Sequence, residues 1–475
     1  MLNSVRALKC VGIFLISIIS FVYVISFFLI PFSDWDTVFY PLVGKGIFQY
    51  HILPYGYIFE HKPYLVYVFY YVWCKIEFFL NGRFAILSLI SLLITSGLLS
   101  KFYKTRFLQT FINVFFGGTL GAYLSGNTEV IQIPITLASV IFLTLGIERK
   151  KNSYLIISAL LASIVINVNY LSGCVLAPIF LYFVISKSLS INNSIVIIGS
   201  GFISIALIFM PFLISGHGQL LTYFSMQHHF LQNYSASMSE RLLTVKMVII
   251  KISLIYPILI IWFKNKNIFW NNMRARILTL WFSFSVIAAI MSGHDYDHYT
   301  SLFLIPAMAI AANLHKYRKI SSVWIMLPFY LFSVIYMISA TVHNINSMKG
   351  IERTNPALIS KIVGNKKVLN IRSDHSLYYL ANLETFDPFL FNDHIDIFFG
   401  KNAEEHYMQD LRQKPDFVLM PFLSCDIVDG GGINNNKDNI CMWMNKNYHI
   451  VYEAYNHKYP SHITNKYFKL YEINK

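Results

Sequence analysis

The sequence predicts an all-α membrane protein that crosses the bilayer many times and ends in a small α/β domain outside it. Three observations carry this reading. Of 475 residues, 55% are hydrophobic and only 13% charged, whereas a soluble domain has roughly 25% charged residues; a soluble enzyme is excluded. Apolar stretches of roughly 16 to 24 residues recur from Cys10 to Ala340, close to the ~20 that a helix needs to cross the hydrocarbon core, where only a self-satisfied backbone survives. The net charge of +14 is also unevenly placed: residues 1–341 hold 23 basic and 9 acidic side chains, residues 342–475 hold 15 of each. The excess cations cluster between apolar runs, as in cytoplasmic loops, and do not form a nucleic-acid surface. A nucleic-acid partner is excluded.

The first apolar stretch, about residues 10 to 30, follows Arg6 and Lys9. It is long for a signal peptide and has no small-residue cleavage pattern before Pro31, so it reads as a retained first span with a cytoplasmic N-terminus. Lys101/Lys104/Arg106, Arg149 to Lys151, Lys187, Lys264 to Arg276 and Lys316/Arg318/Lys319 mark inside loops. The intervening loops at Gly126 to Glu129, Ser215 to Glu240 and Gly293 to Tyr299 then lie outside. Twelve apolar stretches are visible, but these assignments demand an odd number of crossings. The stretch 64–80, interrupted by Lys75 and Glu77 and rich in Tyr and Phe, suits a helix at the outer interface or a re-entrant one. That leaves 11 spans, or 13 if one long stretch divides.

Two parts follow: residues 1–341, membrane-embedded with a first outer loop at 31–63, and an extracytoplasmic tail, 342–475. The tail shows short strands at Val368 to Ile371, Phe417 to Met420, Ile450 to Tyr455 and Tyr467 to Ile473, between helix-like segments and a Gly430 to Asn436 loop. No internal repeat is evident. The five cysteines have no zinc-ligand spacing, so no metal is assigned. Cys425 and Cys441 could pair in an oxidising compartment or remain two thiols.

The acids carry the functional signal, because a carboxylate near the bilayer persists only where it is paired, solvated or used. Eight of the nine in residues 1–341 fall on the outer side: Asp34, Asp36, Glu60, Glu77, Glu129, Glu240, Asp295 and Asp297. Only Glu148 is inside. The first outer loop contains Ser33-Asp34-Trp35-Asp36 and, later, Pro54-Tyr55-Gly56-Tyr57 and Glu60-His61-Lys62-Pro63. Its aspartates could take a proton from a sugar hydroxyl, and Lys62 and His61 could neutralise a phosphate near the headgroups. Alternatively, the first motif merely ends a span and the second merely starts an interfacial helix.

A first span ending in an acidic motif, an aromatic shortly after, then Pro-Tyr and Glu-His-Lys-Pro before a Tyr-rich helix resembles the polyprenyl-phosphate-sugar-dependent glycosyltransferases of the GT-C superfamily. The branch is that of the protein O-mannosyltransferases and the lipid A aminoarabinose transferase. Gly126-Asn127-Thr128-Glu129 resembles a second family loop. Gly293-His294-Asp295-Tyr296-Asp297-His298-Tyr299, leading to Pro306, resembles a later one, and Lys414 to Val418 extends the likeness into the tail.

The resemblance implies a GT-C fold, with inverting transfer of a sugar from a lipid phosphate to an acceptor hydroxyl at the outer face of a bacterial inner membrane. On that reading Asp36 or Asp34 is the base, with Asp36 nearer the expected spacing. Lys62 and His61 face the donor phosphate, with Glu60, Tyr55, Glu129, His294, Asp295, Asp297, His298 and Tyr299 as further substrate-binding candidates. No cofactor is certain, but a divalent cation is possible: some members of the superfamily use one and others none, and His294, Asp295, Asp297 and His298 have the composition of a metal site. His217, His228 and His229 could line an acceptor groove or simply be solvated. The chain departs from the family at Tyr57, Tyr64 and the Asn167-Val168-Asn169-Tyr170 stretch, where members often have Asp, Pro and Lys.

The implied partners are a polyprenyl-phosphate sugar, a glycan or lipid-linked acceptor, membrane lipids, and a separate polyprenyl-phosphate glycosyltransferase and flippase that supply the donor. A hexose such as glucose and an O-antigen acceptor lead the alternatives of lipid A, a teichoic or capsular polymer, or a protein. A lipid-linked glycan transporter is the competing class, and a glycan polymerase or ligase a third. A transporter should show mid-span ionisable residues and inverted repeats; here the acids cluster in loops.

Overall fold

A computed structural model describes residues 2–474 except 33, 35, 81–83, 235, 266–271, 319–321, 422–436 and 456–466. The helices up to the tail are α1 (Leu2–Phe28), α2 (Asp36–Gln49), α3 (Tyr64–Leu80), α4 (Phe84–Tyr103), α5 (Phe107–Leu120), α6 (Glu129–Arg149), α7 (Asn152–Ile166), α8 (Leu171–Ile185), α9 (Ile191–Ile208), α10 (Met210–Ile214), α11 (His217–Asn233), α12 (Met238–Lys264), α13 (Met273–Met291), α14 (Asp297–Arg318) and α15 (Ser322–Thr354). Seven described helices are long and apolar enough to cross a membrane, and α5, α7 and α8 are shorter apolar helices.

Burial sorts these helices into core and periphery. In α14, residues 302 to 312 are almost continuously buried, and Phe303, Leu304, Ile305 and Met308 have no exposure. By contrast α9 turns Ile191, Ile195, Ile198 and Phe202 outward, each at least half exposed. An exposed row of this kind is costly in water and neutral against lipid tails.

Two groups of contacts define the two ends of the bundle. At one end Arg274 donates from Nε and Nη2 to both carboxylate oxygens of Glu148 (3.0 and 2.7 Å) and from Nη1 to the Phe102 carbonyl (2.7 Å). This joins the ends of α4, α6 and α13 amid the basic clusters. At the other end the 126–129 loop, residues 167–169 and the start of α14 come together with the loop after α1. Helix α3 meets that second end: Leu65 N–H donates to the Asn167 carbonyl, the Tyr70 hydroxyl to the Gly126 carbonyl, and the ring of Phe84, which starts α4, packs on Tyr70. The start of α3 and the start of α4 therefore both lie at this second end, and the seven described helices long and apolar enough to cross a membrane are α1, α4, α6, α9, α12, α13 and α15.

Helix α15 continues through residue 342 to Thr354, so the tail follows directly on a helical extension. It contains α16 (Pro356–Val363), β1 (Lys367–Asn370), α17 (Ser376–Leu380), β2 (Glu384–Thr385), α18 (Asn392–Phe399), α19 (Ala403–Arg412), β3 (Phe417–Pro421), α20 (Lys437–Asn447), β4 (Tyr448–Tyr455) and β5 (Tyr467–Ile473). The sheet order is β2-β1-β3-β5-β4, parallel at β1–β2 and β1–β3 and antiparallel at β3–β5 and β4–β5. The four strands read from alternating apolar residues are present; the two-residue β2 has too little sequence to announce itself. Cys441 is disulfide-bonded, whereas Cys425 and the Gly430 to Asn436 loop lie outside the described residues.

Gly126 holds a φ of +82° and sits where an added Cβ would collide with Phe84. Gly126→Ala should therefore cost roughly 1–3 kcal/mol and lower the thermal unfolding midpoint of the detergent-solubilised protein. An unchanged midpoint would show that this loop is not tightly packed.

Candidate active site

The site is built at the loop-rich end, starting from the turn that follows α1. Asp34 Oδ1 accepts the Asp36 N–H (3.0 Å), and its carbonyl accepts the Thr37 hydroxyl (2.6 Å). This local cap starts α2 at Asp36, where an acid in the first turn also suits the helix dipole. Asp34 Oδ2 accepts from Asn127 Nδ2 (3.0 Å) and stands 3.6 Å from His298 Nδ1. Asn127 is itself fixed, because its Oδ1 accepts the Tyr40 hydroxyl (2.9 Å) and the Thr128 N–H (2.7 Å). Burial and the neighbouring Asp36 charge raise the Asp34 pKa above the ordinary aspartate value, with His298 and Asn127 working against them.

Lys62 arrives from the loop before α3, and Glu60 brings it there. Glu60 is 3% exposed. Its Oε2 accepts the Lys62 N–H (2.8 Å) and the Tyr67 hydroxyl (3.0 Å), and its Oε1 lies 2.9 Å from His61 Nδ1. The tight turn carries Lys62 Nζ to 3.8 Å from Asp36 Oδ2. Burial opposes the Lys62 charge, but Tyr299, Asp36 and Glu60 outweigh it and hold the ammonium pKa well above its usual value. The Asp36 carboxylate has no hydrogen-bond donor among the described residues, and a third of its side chain is exposed. A cation and an unencumbered carboxylate thus face one space.

Rings wall this space. The His61 imidazole stacks on Phe230 (4.4 Å) and Phe230 on Tyr234 (4.8 Å), Tyr234 lies tilted against His294 (4.8 Å), and His294 stacks on Tyr296 (5.3 Å) and Tyr296 on His298 (5.5 Å). The series therefore joins α11 to the loop before α14. The tail closes another side: His375 stacks on Phe39 of α2 (4.4 Å), His394 meets Phe59 edge-on (5.0 Å), and the Phe59 N–H donates to the Pro388 carbonyl (2.8 Å).

The residues expected from the sequence divide three ways. Asp34, Asp36, Glu60, His61, Lys62 and His298 converge as described, and Tyr299 lies close enough to Lys62, Asp36 and Glu129 to influence them electrostatically. Glu129, 1% exposed, begins α6; its Oε1 accepts from Asn169 Nδ2 (3.3 Å), and its Oε2 has no hydrogen-bond partner among the described residues. Tyr55, in contrast, is packed between Phe59 and Tyr223 and receives a hydrogen bond from Gln227 (2.6 Å). Asp297 pairs with Lys251 (3.0 Å), and Asp295 points to solvent. The 294–298 acids and histidines therefore do not converge on one point. On α11, His229 packs on Phe398, and it is Gln227 that reaches the loop, at the His61 carbonyl (2.8 Å).

Glu60, His61 and His394 place one possible metal ligand each within 4.8 Å of the others. Sequence reasoning missed His394, His375, Asn127, Asn169, Gln227 and Lys251. Asn127 and Asn169 did lie in stretches singled out as family loops or departures, but their uncharged amides gave no chemical signal.

Residues 108–214 match the family described as dolichyl-phosphate-mannose-protein mannosyltransferase, a segment that runs from α5 to α10 and includes Asn127, Glu129 and Asn169. No curated protein matches the sequence. Among solved structures, the fold is similar to ArnT from Cupriavidus metallidurans bound to undecaprenyl phosphate, with a TM-score of 0.57 and 11% identity over 97% of each chain. It is equally similar to the apo state of that protein, with a TM-score of 0.58 and 10% identity over 98% of each chain. The GT-C architecture expected from the sequence is thereby borne out.

Burial pulls the His375 imidazole down to about 3, with Asp36 pushing weakly back. A histidine held neutral in the fold but free to charge on unfolding destabilises the protein as pH falls below about 6.5. From pH 7.5 to 5 the wild type should lose about 2 kcal/mol more than His375→Phe, read as a larger drop in thermal midpoint. Equal drops would mean that His375 is not buried neutral.

Proposed function

We propose that this protein is an inverting membrane glycosyltransferase. It moves a sugar, a hexose such as glucose, from undecaprenyl or another polyprenyl phosphate to a hydroxyl of a cell-surface glycan such as O-antigen, at the outer face of the bacterial inner membrane. The observation that carries the proposal is the opposition of Lys62 and Asp36. A lipid phosphate is a poor leaving group unless its developing charge is neutralised, and a hydroxyl is a poor nucleophile unless its proton is taken. Lys62 meets the first need, held charged by its neighbours. Asp36 meets the second, because its oxygens are not committed to protein donors, whereas those of Asp34 are occupied by Asn127, the Asp36 N–H and His298.

In the step proposed, the acceptor oxygen attacks the anomeric carbon from the face opposite the phosphate. Its proton passes to Asp36, and the bond between that carbon and the phosphate oxygen breaks, leaving polyprenyl phosphate against Lys62. Asp34 is a positioning residue that fixes the turn and orients Asn127 and His298. A divalent cation held by Glu60, His61 and His394 would add positive charge beside Lys62. The undecaprenyl phosphate bound to ArnT supports a lipid phosphate as donor carrier. The basic clusters at the opposite end of the bundle favour a cytoplasmic N-terminus and an extracytoplasmic tail, and the Cys441 disulfide agrees with an oxidising compartment. A donor made inside and used outside calls for a separate polyprenyl-phosphate glycosyltransferase and a flippase.

The test is transfer of radiolabelled hexose from undecaprenyl phosphate to a polysaccharide acceptor in proteoliposomes. Asp36→Asn should slow transfer by ~10²-fold or more, the scale of general-base catalysis, and Asp34→Asn less. Wild-type turnover by folded Asp36→Asn would reject Asp36 as base, and label that changes leaflet without joining an acceptor would favour a transporter.

A further inference from the structure

A second cluster of ligating side chains lies within the tail, apart from the site above. Asp387 follows β2, and His406 and Asp410 lie one turn apart on α19. His406 Nε2 stands 3.0 Å from Asp387 Oδ2 and 3.6 Å from Asp410 Oδ2, and one ligand atom from each residue lies within 4.8 Å of the other two. Ligands about 2.0–2.1 Å from a tetrahedral zinc ion stand roughly 3.3 Å apart, so the two shorter separations bracket what such an ion needs.

The surroundings hold the three groups in place and, among the described residues, add no cation to that of His406. Asp387 Oδ1 accepts the Phe389 N–H (2.6 Å), which aims the other oxygen at α19. The Phe399 ring lies flat on the imidazole at 3.9 Å. Asp387 is 9% and Asp410 7% exposed, and Asp410 Oδ2 is buried without a hydrogen-bond partner among the described residues. Neither carboxylate has a Lys or Arg partner there; His406 alone pairs with them. Two buried carboxylates that share one imidazole repel each other unless a cation or a proton intervenes.

We propose that Asp387, His406 and Asp410 form a binding site for a divalent transition-metal ion, with Zn²⁺ the best match. One imidazole and two carboxylates, with water completing the shell, suit zinc, whereas Ca²⁺ and Mg²⁺ prefer oxygen ligands alone. The site bears on the rest of the protein through the 387–389 segment. That segment also receives the Phe59 N–H at Pro388 and stacks Phe389 on Phe59 at 5.4 Å. An ion here ties α19 to the segment that abuts the Glu60 to Lys62 turn.

Co²⁺ bound to the full-length detergent-solubilised protein, stripped beforehand with EDTA, tests this. His394→Ala removes the other candidate group, so in that background the remaining site should retain one equivalent of Co²⁺ after desalting and show its visible d–d bands. Adding Asp410→Asn or His406→Ala should weaken Co²⁺ binding by at least ~100-fold, with Zn²⁺ but not Mg²⁺ displacing Co²⁺ from the intact site. Absence of bound Co²⁺ in the His394→Ala protein, or in the wild type should that variant fail to fold, would overturn the proposal. So would undiminished binding in the Asp410→Asn and His406→Ala proteins.

Discussion

The buried charge of Glu60 is the constraint on which the site depends. Burial alone would raise its pKa, but His61 and Lys62 outweigh that and hold the carboxyl well below the usual carboxylate range. An ionised carboxylate enclosed in this way must have its lone pairs satisfied. The Lys62 N–H, the Tyr67 hydroxyl and the His61 ring do so. Those contacts fix the turn that presents Lys62 to Asp36. The motif is therefore structural and chemical at once: the acid folds the turn, and the Lys62 cation it positions faces the open space.

Around that turn, three loops far apart in sequence meet through polar contacts that shield one another from the surrounding apolar helices. Asn127 links the 126–129 loop to Asp34, His298 links α14 to the same carboxylate, and Gln227 ties α11 to the His61 carbonyl. The tail adds a fourth element through His375, Pro388 and His394. Truncating the tail would expose Phe39 and Phe59, so it acts as part of the site's wall and not merely as an appended domain.

Much of this was legible in the sequence. Positive clusters and the parity of apolar stretches singled out α3 as the stretch least suited to cross, because its Lys75, Glu77 and tyrosines fit poorly in hydrocarbon. The scarcity of acids in residues 1–341 pointed to Asp34, Asp36, Glu60 and Glu129 for the same energetic reason. What remained hidden depends on long-range pairing. Nothing local distinguishes Asp297, which is paired with Lys251, from Asp34, which is not; the difference lies in which helix passes beside each. Tyr55, a substrate-binding candidate from the resemblance, folds inward, where Gln227 and Tyr223 meet it. His375 and His394 lie more than 300 residues from Asp36 and Glu60, and only the packing of the tail brings them together.

The central claim, that Lys62 anchors a lipid phosphate while Asp36 opposes it, is tested most directly by binding rather than turnover. Native mass spectrometry of the detergent-solubilised protein with undecaprenyl phosphate should show retention by the wild type and loss by Lys62→Ala. Asp36→Asn should bind at least as tightly as wild type, because removing the carboxylate 3.8 Å from Lys62 frees the cation for the phosphate. Equal retention by wild type and Lys62→Ala, or loss of binding in folded Asp36→Asn, would contradict the account.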